Sequence, residues 1–196
     1  MIPNQILSTI PIPRPYLEKV NDFNLPLIDY EMGGVALNDA SQGLQVKLWT
    51  LYMVGDDVTI SAPDVAPTVV FTAQNITEIS LAFDQSMQPV IAYVQAEEAR
   101  LYWFDTTIPG YTNTILTGAV SPRVSLDDKR PLFVPLSDVI VGYVKDNNLY
   151  FRAQRDRYLI EYLLKSNVNA TLVTVGMTTN LRFKFKLKTL TPVGGL

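Results

Sequence analysis

The 196-residue chain contains no cysteine and no histidine. Without cysteine there are no disulfides and no thiolate nucleophiles, and without either residue the usual zinc sites are excluded. The absence of histidine also removes the side chain that most often acts as a general base near neutral pH. No apolar run reaches the length of a membrane-spanning helix, so we expect no membrane span.

What remains for catalysis or metal binding is a set of weak patterns. The adjacent carboxylates Asp56-Asp57 and Asp127-Asp128 stand among turn-forming residues, where aspartate is favoured by its bonds to the backbone. In a strand such neighbours would point to opposite faces. The serines occur in neither a G-x-S-x-G nor an S-x-x-K motif. We therefore predict that the protein is not an enzyme, and we expect no catalytic residues, metal or cofactor.

The composition favours a globular protein of nearly balanced charge. Hydrophobic residues make up 47% of the chain, which is typical of a folded core rather than of disorder. Sixteen basic and nineteen acidic residues give a net charge of -3. This balance argues against a bulk attraction to DNA or to an anionic membrane, although it leaves room for a local basic patch.

Residues 1–32 are predicted to form an extended, proline-rich arm. Five prolines within the first 26 residues fix φ and favour extended conformations before them. The arm is also apolar, with Ile6, Ile10 and Ile12 among its side chains, which a flexible polar tail would not carry. Two placements stay open. The arm lies across its own domain, or it docks on a neighbouring subunit, where proline preorganisation lowers the ordering cost.

From residue 33 to residue 196 the pattern indicates an all-β domain. Leu44, Val46 and Leu48 occupy every second position, which is the two-residue period of a strand. Short apolar runs such as VIAYV, RLYWF and VIVGYV then recur between clusters of turn-forming residues. Many short strands at regular spacing are typical of a sandwich, a barrel or a propeller fragment.

A weak internal repeat supports antiparallel, blade-like units. Residues 79–105 can be aligned with residues 124–156, so that Tyr93 corresponds to Tyr143, 50 positions later. A period of this size matches one blade of a propeller, in which about three or four antiparallel strands form each unit.

The repeat predicts one unit near residues 79–118 and a second near 119–167, with residues 48–63 as a degraded earlier copy. Two or three units cannot close a propeller. The fold is therefore expected to be an open propeller fragment completed by other chains, or a sandwich of hairpins.

Residues 146–164 (DNNLYFRAQRDRYLIEYLL) are the most charged and aromatic-rich stretch of the chain. We interpret them as a hairpin, with one strand from Asn148 and a second in YLIEYLL, because a turn precedes the stretch and aromatic residues fill it. A helix is the competing interpretation, since Leu, Ala, Gln, Arg and Glu favour it. At an exposed tip, Arg–Asp pairing adds little stability but can specify a partner. The predicted subunit contacts here are Arg152, Arg155, Asp156 and Arg157.

The segment LRFKFKLK places four cations on one face of a predicted strand. Like charges in a row repel one another unless nearby opposite charges compensate for them. This face of the strand is solvated, or the strand lies at a sheet edge where its lysines block unwanted pairing, or it contacts an acidic neighbour or DNA in a channel. The residues of this basic strip are Arg182, Lys184, Lys186 and Lys188.

Several of these segments resemble small virion proteins of tailed bacteriophages. The resemblance covers roughly residues 44–190 and is carried by five segments. They are ITEISLAFDQSMQPVIAYVQ, RLYWFD, SPRVSLDDKRP, SDVIVGYVKDNNLYFRAQRDRYLIEYLL and TLVTVGMTTNLRFKFKL. These motifs are structural rather than catalytic, so no functional residues are carried over.

The resemblance implies a structural subunit of the tail: part of the tube end, the nozzle, the hub or a fibre-attachment region. Such a subunit would form a homo-oligomer, contact other tail proteins, and allow DNA to pass through an assembled channel. Its location would be the virion tail, after assembly in the host cytoplasm. The alternative is a receptor- or carbohydrate-binding β module of a virion, in which Tyr102, Trp103 and Tyr111 would stack on sugars. A hydrolase is the third and weakest possibility.

Overall fold

The computed structural model describes residues 29–35, 45–62, 65–84, 88–126, 139–177 and 183–189. These residues form fourteen strands in four antiparallel sheets, here called sheets A to D in chain order. Sheet A contains β1 (Asp29–Val35), β2 (Gln45–Val54), β3 (Asp57–Ala62) and β4 (Val65–Thr72). Sheet B contains β5 (Ile76–Phe83), β6 (Pro89–Gln95), β7 (Glu98–Asp105) and β8 (Gly110–Ile115). Sheet C contains β9 (Val120–Leu126), β10 (Val139–Lys145), β11 (Asn148–Ala153) and β12 (Tyr162–Lys165), and sheet D contains β13 (Ala170–Met177) and β14 (Phe183–Thr189).

The predicted all-β fold of blade-like hairpin repeats is confirmed. Sheets A, B and C are each four-stranded meanders in which every strand pairs with the next one in sequence. Sheet B falls within the predicted unit 79–118 apart from its first residues, and sheet C lies within 119–167. The suspected earlier copy at 48–63 coincides with β2 and β3 of sheet A.

The predicted arm falls almost wholly outside the described residues. Strand β1 begins at Asp29 and pairs with β2, so the predicted boundary after residue 32 lies inside a strand. Ile6, Ile10 and Ile12 lie in the part of the chain that the structure does not describe. Whether the arm docks on its own domain or on a neighbour therefore stays a prediction.

The four sheets stack face to face in chain order, and each interface has its own apolar core. Strand β6 is buried along six consecutive residues because both faces of sheet B are covered. Val90 and Ala92 on this strand pack toward sheet C, whereas Ile91 packs toward sheet A. Strand β10 repeats the arrangement: Val141 faces sheet B and Ile140 faces sheet D. A nearly continuous apolar run is what a strand buried on both faces requires.

The stack opens like a fan. The first strands of successive sheets lie against one another, β1 against β5, β5 against β9 and β9 against β13. At the opposite side of the fan, β4, β8 and β12 are the last strands of sheets A, B and C. Each of these three pairs with only one other strand among the described residues. This is the geometry of adjacent propeller blades that have not closed into a circle.

Arg123 on β9 makes hydrogen bonds to the first strands of sheets B and D. Its guanidinium donates to Glu78 Oε2 on β5 at 2.7 Å and to the Val173 carbonyl on β13 at 3.0 Å. The side chain is only 11% exposed. A buried cation is stable only when its donors are satisfied. Arg123 therefore links sheets B, C and D at the narrow side of the fan.

Candidate assembly surfaces

The hairpin interpretation of residues 146–164 is confirmed. Strand β11 is followed by a single 3₁₀ turn (Gln154–Asp156), and β12 returns antiparallel to β11, with Phe151 opposite Tyr162. Arg157 and Tyr158 follow the turn with φ of 52° and 55°, a left-handed conformation that redirects the chain. The competing helix does not form, because aromatic pairing and sheet packing outweigh the helix propensity of the segment.

The structure corrects the expected exposed tip at Arg152. This side chain is 16% exposed and donates to Glu161 Oε2 at 3.1 Å, to the Tyr143 hydroxyl at 2.9 Å and to the Tyr158 carbonyl at 3.1 Å. Lys145 Nζ lies 3.1 Å from the other carboxylate oxygen of Glu161. The arginine thus holds the loop before β12 against sheet C.

This network also perturbs the titration of its members. Burial, reinforced by the carboxylate of Glu161, raises the pKa of Tyr143 far above its usual range. Burial raises the pKa of Glu161, but hydrogen bonds from Tyr143, Arg152 and Lys145 outweigh it and hold that pKa below 4.5. At neutral pH Glu161 is therefore an ionised carboxylate that accepts hydrogen bonds, and Tyr143 keeps its phenolic proton and donates it to Glu161.

The side chain of Arg157 also forms an ion pair within its own chain. Its Nη2 lies 2.5 Å from Oδ2 of Asp105, which is buried at the end of β7. The other oxygen of Asp105 accepts from the Thr107 hydroxyl at 2.7 Å and from its backbone N–H at 2.9 Å. These hydrogen bonds lower the pKa of Asp105 to about 2. The bond from the Thr107 hydroxyl has the largest effect, and the bond from Arg157 contributes less. The ion pair joins the outer parts of sheets B and C.

The other two predicted contact residues lie at the turn itself. The side chain of Arg155 is 61% exposed, with its Nε 3.9 Å from Oδ2 of Asp156. Asp156 also accepts from the Tyr162 hydroxyl at 2.9 Å. Of the four residues predicted from the sequence to reach a neighbour, Arg155 is therefore the one most open to solvent.

Sequence reasoning missed an exposed aliphatic ledge next to this turn. Leu159, Ile160, Leu163 and Leu164 form the aliphatic ledge, and Leu159 and Leu163 are 73% and 57% exposed. Two of the four lie on β12, the edge strand of sheet C. The adjacent leucines were the available signal, because neighbouring residues of a strand cannot both face the same core. Leu163 and Leu164 point to opposite faces of sheet C, so the ledge lies on both sides of the edge strand. Exposed apolar side chains at the edge of a sheet are typical of an interaction site.

Three of the four cations of the basic strip lie on β14, the edge strand of sheet D. Lys184, Lys186 and Lys188 are exposed, while Phe185 and Leu187 between them pack on the core shared with sheet C. The predicted alternation is confirmed from Lys184 to Lys188, and among the described residues β14 pairs with β13 alone. Arg182 lies outside the described residues.

The structure does not bring together the three aromatic residues of the sugar-binding alternative. Tyr102 and Tyr111 stack with ring centroids 4.7 Å apart on the face of sheet B that is turned toward sheet A. Trp103 points to the opposite face, where it is buried, contacts Tyr158 edge-on at 5.0 Å and donates to Thr114 Oγ1 at 2.9 Å. A platform of these three rings is therefore ruled out by strand alternation.

The carboxylate pair Asp56-Asp57 lies at the turn between β2 and β3, but its side chains bond to residues at and just after the end of β4 rather than to the backbone of the turn. Asp57 accepts from the Thr72 hydroxyl at 2.6 Å, and Asp56 accepts from the Gln74 amide at 3.1 Å. The second pair, Asp127-Asp128, belongs to the stretch between β9 and β10 that the structure does not describe.

Within the described ranges, no group of three or more acidic, histidine or cysteine side chains is placed to hold a metal ion. In the same part of the chain, no helix has the length and apolar character needed to cross a membrane. The chain matches no protein-family model and no curated protein.

Proposed function

We propose that the chain is a structural subunit of a tailed-bacteriophage tail, located at the tube end, nozzle, hub or fibre-attachment region. It acts by protein–protein assembly, as a homo-oligomer in contact with other tail proteins. Its place is the virion, after assembly in the host cytoplasm. The single observation that carries this proposal is the open fan of sheets, in which the described part of sheet D has half as many strands as each of the other three.

The fan supports assembly because its sheets are stacked repeats that do not close into a circle. Each sheet buries a face against the next, and separate apolar cores lie between A and B, B and C, and C and D. Stacked units of this kind gain stability from each added neighbour. Copies that join head to tail, sheet D of one toward sheet A of the next, close into a ring when the rotation between them does.

The aliphatic ledge supports a protein partner in particular. Its four side chains are apolar, they adjoin the edge of β12, and the Arg152–Glu161 network holds the loop that carries two of them. A rigidly held apolar patch loses little conformational freedom on binding. This is the property expected of a subunit contact, with Arg155 at its polar rim.

In such a ring the basic strip would recur once per subunit. A repeated row of lysines gives a positive surface even though each chain carries a net charge of -3. Facing a lumen, the strip would favour the passage of DNA through electrostatic attraction to phosphates. Facing a neighbour, it would bind an acidic surface.

Static light scattering of the full chain tests the proposal. We expect a defined homo-oligomer whose mass is an integer multiple of the 21.9 kDa chain. Leu163→Glu should weaken it, because the substitution puts a carboxylate into the ledge. Val120→Glu is the matched control, since Val120 is comparably exposed, at 50%, and lies on β9, at the opposite edge of sheet C from β12. A strictly monomeric protein that binds glycans would favour the carbohydrate-binding alternative instead.

A further inference from the structure

The loop between β11 and β12 turns its charged side chains inward and its aliphatic side chains outward. Arg157 pairs with Asp105 of sheet B, and Glu161 accepts hydrogen bonds from sheet C. Leu159 and Ile160, which lie between these two residues, are 73% and 49% exposed. A loop that meets only water has the reverse arrangement, because burying apolar surface and keeping charges in water are each favourable. The inverted polarity is typical of a loop whose apolar side chains contact another protein.

A single side chain, Arg152, holds both ends of the Leu159-Ile160 dipeptide. Its Nη1 donates to the backbone carbonyl of Tyr158, directly before the dipeptide, at 3.1 Å. Its Nη2 donates to Oε2 of Glu161, directly after the dipeptide, at 3.1 Å. Its Nε donates to the Tyr143 hydroxyl at 2.9 Å, which ties the guanidinium to β10. Three acceptors in these directions need the planar fork of an arginine, and the compact ammonium of a lysine cannot replace it.

The start of the dipeptide is fixed by further contacts. The ring of Tyr158 is fully buried and meets Trp103 edge-on at a centroid distance of 5.0 Å. The backbone N–H of Tyr158 donates to the Ala153 carbonyl at 3.0 Å, and that of Leu159 donates to the Asp156 carbonyl at 3.0 Å. Side chains presented from a loop held in this way lose little conformational freedom on binding.

The charges beside the dipeptide suit a second copy of the chain. The turn carries Arg155, whose side chain is 61% exposed, and the carboxylate of Asp156 next to it. A surface with one charge of each sign beside an apolar pair can face the same surface of another copy, because each cation then meets a carboxylate. A partner with charges of a single sign would repel one of the two.

We propose that Leu159 and Ile160 are the apolar anchors of a contact between two copies of the chain, and that Arg152 is the residue that positions them. The inference rests on the proposed function, since it needs a homo-oligomer. Arg152 does not touch the second copy in this arrangement. It acts through the loop, by holding the residues on either side of the dipeptide against sheet C.

The dissociation constant of the oligomer, measured by light scattering over a concentration series of the full chain, tests this inference. Leu159→Ala should weaken association roughly tenfold, because it removes most of one apolar side chain from the contact. Arg152→Lys keeps the charge but cannot hold both ends of the dipeptide, so it should weaken association by a similar factor. Because the two substitutions affect the same contact, the double variant should be little weaker than either single variant.

Two controls separate positioning from a general loss of stability. Ile79→Val removes a methyl group from the core between sheets A and B, so it should lower stability and leave the dissociation constant unchanged. Val120→Ala truncates a side chain that is 50% exposed at the opposite edge of sheet C, and it should also leave association unchanged. Hydrogen exchange at the Leu159 amide should become faster in Arg152→Lys and not in Ile79→Val, since only the first substitution loosens the loop locally.

An unchanged dissociation constant in Arg152→Lys, or single effects that multiply in the double variant, would overturn the positioning role. An oligomer that Leu159→Ala leaves intact would overturn the assignment of the anchors while the proposed function stands. A wild-type chain that stays monomeric would refute both. If Arg152→Lys does not fold, Glu161→Gln replaces it with the same expectations, because it removes the carboxylate that Arg152 holds after the dipeptide.

Discussion

Gly142, in the middle of β10, is the residue at which the contact between sheets C and D leaves no room for a side chain. A methyl group there would place its carbon 2.9 Å from Cε1 of Phe185, 3.1 Å from Cγ2 of Val175 and 3.3 Å from Cδ2 of Leu172. Carbon atoms pack at about 3.5–4.0 Å, so Gly142→Ala must push the Phe185 ring roughly 0.6 Å or more away. The substitution therefore tests whether sheet D is held by this close fit.

The expected change in the free energy of unfolding for Gly142→Ala follows from two opposing effects. Overpacking of a well-packed core costs about 1–3 kcal/mol. Alanine in place of glycine restricts the unfolded chain and returns about 0.4–1 kcal/mol, because Gly142 does not have a positive φ. Gly142→Ala should thus lower the free energy of unfolding by about 1–2 kcal/mol.

Urea unfolding followed by tryptophan fluorescence measures this loss, and Phe185→Leu supplies the control. Removing part of the ring should relieve the clash, so the double variant should be about 1 kcal/mol more stable than the sum of the two single effects predicts. Additive single effects would refute the reasoning, because they would mean that Gly142 and Phe185 do not share a contact.

Three further predictions concern charged groups. Because the pKa of Asp105 is lowered from 3.8 to about 2, its stabilising effect is complete above about pH 4 and lost as the pH falls through 2. The difference in Tm between the wild type and Asp105→Asn should therefore shrink between pH 4 and pH 2, and a constant difference would contradict this. Glu161→Gln should lower the free energy of unfolding by about 1–3 kcal/mol in urea, because it loses charged hydrogen bonds in a half-buried cluster. Glu98→Gln, which breaks a more exposed pair, should cost less than about 1 kcal/mol, and equal losses would contradict the difference in burial. Reversing Lys184 and Lys186 to glutamate should abolish assembly or DNA passage, measured by light scattering and by DNA delivery from reconstituted particles, and an unaffected particle would refute a role for the basic strip.

Much of the fold could be predicted from local pattern. Alternation in LRFKFKLK gave the faces of β14, and Asp146-Asn147, both with positive φ, formed the expected hairpin turn. The equivalence of Tyr93 and Tyr143 also holds in space. Each is on the second strand of its sheet and packs toward the sheet before it.

Other features had no local signal. The turn between β6 and β7 consists of Ala96 and Glu97, with φ of 48° and 67°, although neither residue favours that conformation. Its position is set by the pairing of the flanking strands, as in Ile91 opposite Tyr102. Arg152 was likewise predicted to lie at an exposed tip. Its partner Glu161 is nine residues further along the chain, and the two side chains come together only because of the turn between them.

The sequence by itself determined the strands, their order and their grouping into repeated meanders. Those features depend on side-chain period and turn chemistry, which act over a few residues. Only the tertiary structure decided which faces are covered twice, which arginines turn inward and where an aliphatic ledge stays exposed. These depend on how far the sheets overlap, and so on contacts between residues distant in the chain, such as Gly142 and Phe185 or Asp105 and Arg157.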